Sequence, residues 1–307
     1  MEQLKDKLPK GFDSPIILPE GSLSSEWQKN NKEWWENHPM RYDWNDKLGK
    51  EEFSKEFYEE IDKRFFQSAE EFMPSRNLPF DAVIDFDTLS RQNVLEIGVG
   101  NGSHAALLSQ YAAHFTGIDL TQYAVRSTTK RLQCFGLNGR IMQMDAENMN
   151  FEKDSFDFVW SWGVIHHSSN TRKVLEEIRR VLKPGGKATL MIYHRNFWNY
   201  YVMGAFFRGI LQGYLLKKKS LQEIMQLNTD GALARYYTKR EWNALVEDLF
   251  IINKNLIFGI KGEIFPLPAS ALKNYIMSCI PNAMSRFVTN TLQAGSFLVT
   301  FLEKPCK

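Results

Sequence analysis

The chain has 307 residues, a formal net charge of +2 and 43% hydrophobic residues, enough for one large domain with a sizeable core. A balance this close to neutral argues against avid nonspecific nucleic-acid binding, which draws on clustered phosphate-neutralising charge. The cysteines, Cys134, Cys279 and Cys306, are odd in number and widely spaced, with no metal-site pattern, so no metal is expected.

Residues 1 to about 48 read as an irregular, unusually aromatic arm containing Trp27, Trp34, Trp35, Tyr42 and Trp44. Residues 1–7 lack the apolar core of a signal peptide, and a reducing cytoplasm is the expected location. Residues 50–72 then carry Phe53, Phe57, Ile61, Phe65 and Phe72 on or near one face, predicting an amphipathic helix. A first unit of 1–75 is expected to cover a pocket built by residues 76–307.

The run Val94-Leu95-Glu96-Ile97 has the pattern of a buried parallel strand, and it enters the glycine-dense loop Gly98-Val99-Gly100-Asn101-Gly102. Residues 103–108 read as the following helix. Glycines at such a turn permit positive φ and close approach of a ligand to the main chain, as in nucleotide-type sites of doubly wound sheets. A dinucleotide fingerprint needs G-x-G-x-x-G, but Ser103 takes the place of its third glycine. Glu96 would also repel a pyrophosphate, while it suits a ligand carrying an ammonium and a sulfonium. The loop therefore favours S-adenosylmethionine over NAD.

A second strand, 114–118, ends in Asp119, about twenty residues after the first glycine, where such folds hold ribose hydroxyls. The third, 140–144, ends in Asp145-Ala146-Glu147. The fourth, 156–160, runs into Ser161-Trp162-Gly163-Val164-Ile165-His166-His167. Residues 171–182 are helical by period and stop at Lys183-Pro184-Gly185-Gly186, before a fifth strand at 187–193.

An insertion at about 195–235 opens with an apolar run broken by Arg208 and closed by Lys217-Lys218-Lys219. It is too short and interrupted to span a membrane. It reads as an interfacial helix with a basic end, a cap on the acceptor site, or a helix in an enlarged core. Thr238-Lys239-Arg240-Glu241 is a capping box opening a helix to 250. Residues 251–258 and 296–302 read as a closing antiparallel pair of strands, separated by a second insertion at about 260–293 containing Pro266, Pro268 and Pro281.

The strings LEIGVGNG, GIDL, MDAEN, FDFVWSWGVIHH and RRVLKPGG, in this order and spacing, resemble the class I S-adenosylmethionine-dependent methyltransferases over about residues 90–194. The resemblance implies an α/β fold with a doubly wound, seven-stranded, mostly parallel sheet, an N-terminal helical and aromatic arm, and helical insertions after strands five and six. It implies that Gly98, Gly100 and Gly102 line the methionine and ribose portions, with Asn101 and Leu120 beside them, and that Glu96 supports the ammonium. Asp119 would bind the ribose hydroxyls. Asp145 would accept from the adenine amine, Ala146 would touch the ring, and Ser161 and Trp162 would close the site.

The reaction implied is displacement of an activated methyl by a small-molecule acceptor, with alignment and exclusion of water supplying most of the acceleration. Where the acceptor needs a base, His166 and His167 are the candidates, followed by Tyr193 and His194. Ser161-Trp162-Gly163-Val164 stands where relatives that methylate adenine or glutamine amino groups carry Asn/Asp-Pro-Pro-aromatic. That argues for a small acceptor with a hydrophobic or planar part, contacted by Trp34, Tyr42, Trp44, His194 and Trp198. The same binding motifs would also serve cyclisation or aminocarboxypropyl transfer, or a noncatalytic cofactor-binding protein. An NAD-dependent oxidoreductase is disfavoured by Ser103 and Glu96. Acceptor identity and oligomeric state are not encoded legibly.

Overall fold

The computed structural model describes residues 21–43, 47–217, 220–226, 229, 231, 233–265 and 270–306. Trp44, Lys218, Lys219, Pro266 and Pro268 lie outside them. A seven-stranded sheet organises the chain in the order β3-β2-β1-β4-β5-β7-β6. Its strands are β1 (Asn93–Ile97), β2 (His114–Asp119), β3 (Arg140–Gln143), β4 (Phe156–Trp162), β5 (Leu182–Tyr193), β6 (Ile251–Phe258) and β7 (Phe297–Glu303). The first five run parallel, and β7 is antiparallel to both β5 and β6. Sequence order reverses between β1 and β4, which opens a crevice at their carboxyl ends. At that same rim Tyr193, Phe297 and Phe258 are register neighbours, so β5, β6 and β7 meet there.

Alternation along the strands feeds two cores. Leu95, Ile97, Val159, Leu190 and Ile192 face one layer with Val174 and Ile178 of the helix Thr171–Val181. Val94, Phe158, Trp160 and Met191 face the other, against Phe65, Phe72, Phe80 and Leu108. Two further helices complete the crevice: Ser103–Ser109 after β1, and Gln122–Cys134 after β2, capped by Thr121.

The N-terminal region departs from the irregular arm predicted for it. Gly21–Asn37 (α1) is a helix. Trp27, Asn31 and Trp34, at i, i+4 and i+7, are its buried stripe, and the polar member at 31 breaks the apolar period that would have revealed it. The next helix, α2 (Lys55–Phe72), starts five residues later than predicted because Ser54 caps it, its hydroxyl accepting from the Phe57 amide. β5 begins five residues early: Leu182 pairs with Phe156, and Gly185 and Gly186 bond Lys304 across a bulge. The capping box at Thr238 forms, but its helix ends at Val246.

Both insertions are helical. The first contains Phe197–Leu211, wound with i→i+5 bonding, and Leu221–Gln226; the second contains Ala271–Cys279 and Asn282–Arg286. No helix among the described residues is long and apolar enough to cross a membrane.

Candidate functional site

The loop after β1 turns because its glycines accept φ of +82°, +53° and +80° at Gly98, Gly100 and Gly102. A Cβ on Gly98 would lie 2.3 Å from the Val164 side chain, so this glycine lets the loops after β1 and β4 touch. A Cβ on Gly100 would meet nothing within 4 Å, so this glycine faces open space. Asp119, at the end of β2, fixes the loop: it accepts from the Gly100 amide at 3.1 Å and from the Thr121 amide and hydroxyl at 2.9 and 2.8 Å. Burial outweighs those bonds and raises its pKa above the ordinary carboxylate value.

Around this loop lies a cavity of about 1180 Å³, above the roughly 300–1,000 Å³ usual for one drug-sized ligand. One end is lined by Gly98 to Ser103, Asp119, Leu120, Met144 and Ala146; the other by Phe65, Phe72, Trp162, Met191, Tyr193 and Phe297. The N-terminal segment contributes to its wall. Gln28, Trp35, Met40 and Tyr42 line it, and the Asn101 amide donates to the Met40 carbonyl at 2.6 Å. Glu36 accepts from the Gln122 and Tyr123 amides at 2.8 and 2.9 Å, anchoring the end of α1 on the helix after β2.

Of the residues expected to hold cofactor, Gly98, Gly100, Asn101, Gly102, Asp119, Leu120, Ala146 and Trp162 line this cavity, whereas Glu96, Asp145 and Ser161 do not. Glu96 is buried behind the loop. Its Oε1 lies 4.0 Å from His104 Nδ1, and its Oε2 has no hydrogen-bond partner. Desolvation first, and then the Asp119 carboxylate, push its pKa well above the usual range, while burial drops His104 to about 3. Asp145 sits at the rim, where its Oδ1 accepts from Gln28 and from the Glu147 amide. Ser161 donates to the Ile97 carbonyl at 3.2 Å.

The catalytic candidates separate. His167 and Tyr193 line the cavity, and His166 does not. His166 is fully buried, with neither ring nitrogen hydrogen-bonded, and its ring centroid is 3.9 Å from that of Tyr193. His167 uses Nδ1 on the Leu233 carbonyl, and desolvation holds its pKa at about 4. Among the candidate acceptor contacts, Tyr42 lines the cavity; Trp34 is buried behind it, stacked on His38. His194 is tied to the Gly295 carbonyl at 2.8 Å, and Trp198 is exposed outside the lining. Gln28 and Trp35 were missed. With Asn31 they share a helical face at i, i+3 and i+7, a pattern readable only once the segment is taken as a helix.

S-adenosylmethionine fits these residues. Gly100 leaves room against the backbone, Asp119 keeps acceptor capacity on Oδ2, and Glu96 Oε2, buried behind the loop, has no hydrogen-bond partner. A family model described as a methyltransferase domain matches residues 95–190. Over 100 residues the chain is 37% identical to the phthiotriol/phenolphthiotriol dimycocerosates methyltransferase of Mycobacterium tuberculosis, covering 32% of this chain and 36% of that one. It is 35% identical over 106 residues to the uncharacterized methyltransferase YcgJ of Bacillus subtilis, covering 34% and 42%. It is 34% identical over 109 residues to phosphoethanolamine N-methyltransferase 2 of Caenorhabditis elegans, covering 34% and 25%. The matched stretch thus spans between a quarter and 42% of the length of these relatives. A solved Haloferax volcanii complex of a methyltransferase activator with a candidate methyltransferase contains a chain of the same fold, with a TM-score of 0.52 at 16% identity, covering 80% of this chain and 93% of that one. Strand order, glycine loop and sequence match agree: residues 95–190 are a methyltransferase domain of the class I S-adenosylmethionine-dependent family.

Proposed function

We propose that the chain transfers a methyl group from S-adenosylmethionine to a small acceptor with a hydrophobic or planar part, beneath a lid formed by its N-terminal segment. The observation that carries this reading is one continuous cavity whose glycine-loop end suits the cofactor and whose other end is walled by Phe65, Phe72, Trp162, Met191 and Phe297. When bound, the cofactor supplies a methyl group already activated by the sulfonium. The chain's part is to orient, to exclude water and, for a hydroxyl or similar acceptor, to take a proton. α1 and Tyr42 close the mouth, and His167, held by Leu233, is the cavity-lining imidazole placed to receive that proton. Two of the relatives above are named for phthiotriol/phenolphthiotriol dimycocerosates and for phosphoethanolamine, which supports a small-molecule acceptor here.

The test is calorimetric titration with S-adenosylmethionine, S-adenosylhomocysteine and NAD, for the native chain and Asp119→Ala. Micromolar binding of both sulfur ligands, lost in the variant and absent for NAD, is expected. Binding of NAD alone would sink the reading. Product analysis then separates methyl transfer, which leaves S-adenosylhomocysteine, from cyclisation or aminocarboxypropyl transfer, which leaves methylthioadenosine.

A further inference from the structure

The segment Phe197–Leu211 buries little of its own surface. One side is committed: Tyr200 is buried with its hydroxyl on Gln222, and a Cβ on Gly204 would lie 2.5 Å from the Met225 sulfur. The other side carries Phe197, Tyr201, Phe206 and Ile210, all exposed. Their spacing of four, five and four residues matches the repeat of a helix with i→i+5 bonding, so they form one stripe. The stripe continues into Leu215 and Leu216, the latter 86% exposed, and ends at the exposed Lys217. In the second insertion, no residue of the helix Ala271–Cys279 is buried, and Leu272 and Tyr275 are 64% and 70% exposed.

Both insertions leave the sheet at one place. They grow from the ends of β5 and β6, where Tyr193, Phe258 and Phe297 are neighbours. Their roots are joined: the Asn196 amide donates to the Ser296 hydroxyl at 2.9 Å, and the Ser296 amide donates to Glu263 at 2.9 Å. The charge leans one way. Residues 195–235 contain Arg195, Arg208, Lys217, Lys218, Lys219 and Arg235 against Glu223 and Asp230, and residues 260–293 contain Lys261, Lys273 and Arg286 against Glu263.

We propose that the two insertions form a docking surface for a bilayer carrying anionic headgroups. Exposed aromatic and aliphatic side chains with an excess of cations over acids suit the boundary between acyl chains and negative headgroups. A second copy of the chain fits less well, because a symmetric contact would set cations against cations. The cavity reaches this rim through Tyr193, Ile260 and Phe297, so an amphiphilic acceptor resident in the bilayer would enter it from the docked face.

The test is flotation of the full chain with vesicles of phosphatidylcholine alone or mixed with phosphatidylglycerol, without cofactor, so that its outcome is independent of methyl transfer. Salt-sensitive recovery with the mixed vesicles is expected. Ile210→Ser with Leu216→Ser should weaken it about tenfold or more, as should Leu272→Ser with Tyr275→Ser. Lys217→Glu should weaken it several-fold. Circular dichroism and thermal melting confirm that each variant is folded. Absence of recovery with mixed vesicles overturns the proposal, as does recovery that neither substituted pair changes. Concentration-dependent self-association lost in those pairs, without vesicle binding, would assign the surface to a second copy instead.

Discussion

The Gln28 side chain donates to Asp145 Oδ1 at 2.7 Å, tying α1 to the acid at the end of β3. Its carbonyl end accepts from the Ser169 amide at 3.2 Å, and Asn31, one turn on, donates to the His167 carbonyl. One polar face of α1 thus clips the loops after β3 and β4 together across the crevice. Gln28→Ala removes the bonds to Asp145 and Ser169, each worth about 1 kcal/mol, and a longer one from Asn31 at 3.5 Å. Cofactor affinity is expected to fall about fivefold to thirtyfold, with α1 cut faster by protease and the melting temperature little changed. Unchanged affinity together with faster cleavage would show that the helix covers the site without shaping it.

Glu96 predicts a proton linkage. Burial raises its pKa, so the folded protein binds a proton there that the unfolded chain gives up above about 4.5. Its contribution to stability is therefore present below that pH and is lost as pH rises toward the raised folded value. A ligand ammonium placed against Glu96 favours the ionised form and should expel the proton. Binding enthalpy should accordingly depend on the ionisation enthalpy of the buffer in the range above about pH 4.5 where the folded chain still holds this proton. Glu96→Gln should remove that dependence and weaken binding about tenfold to a hundredfold. Buffer-independent enthalpy in the native chain would mean that Glu96 does not meet the ligand's charge.

For His167, the acceptor on its ring decides the tautomer. The Leu233 carbonyl can only accept, so Nδ1 carries the hydrogen and Nε2 is the basic nitrogen. With its pKa held at about 4, the ring is neutral at physiological pH. A base role predicts an acid limb in turnover near pH 4. It also predicts that His167→Gln cuts turnover by about a hundredfold at saturating acceptor with cofactor affinity unchanged. His166→Gln, outside the cavity lining, should alter melting temperature and leave the pH profile alone. Full turnover in His167→Gln would rule out the base role.

The sheet was legible in the sequence because each strand carries its own signal. β1 is an apolar run ended by glycines, β2 ends in Asp119, and the capping box at Thr238 marks the last helix before β6. The N-terminal helix was not legible as structure. In α1 the buried stripe is interrupted by Asn31, and the face toward the site is built from Gln28, Asn31 and Trp35, whose value depends on loops more than a hundred residues away. Glu96 and Asp145 were legible by position, but their placement outside the cavity lining depends on packing by His104 and Gln28. The His166-His167 pair carried no local sign of which ring faces the cavity. That is fixed by Leu233 and Tyr193, from distant segments.

Glu263 should make stability fall across the neutral range. It is buried where the second insertion leaves β6, accepts from the Ser296 amide, and lies against Gly259, where an added Cβ would be 2.4 Å from its Oε2. Desolvation pushes its pKa from 4.5 to about 8. Below 4.5 both folded and unfolded chains hold the proton; between 4.5 and about 8 only the folded chain holds it, so stability drains away as pH rises through that window and levels off above it. Glu263→Gln keeps the neutral shape and deletes the titration. The variant should match the native chain at the acid end of the window and exceed it by a few kcal/mol, on the order of 1.4 per pKa unit, at the alkaline end. Urea unfolding of both proteins at the two ends checks this. Parallel stability curves would mean that Glu263 is ionised in the folded protein. The difference matters at the rim, because Ile260 and Phe297, on either side of the Glu263 to Ser296 bond, both line the cavity.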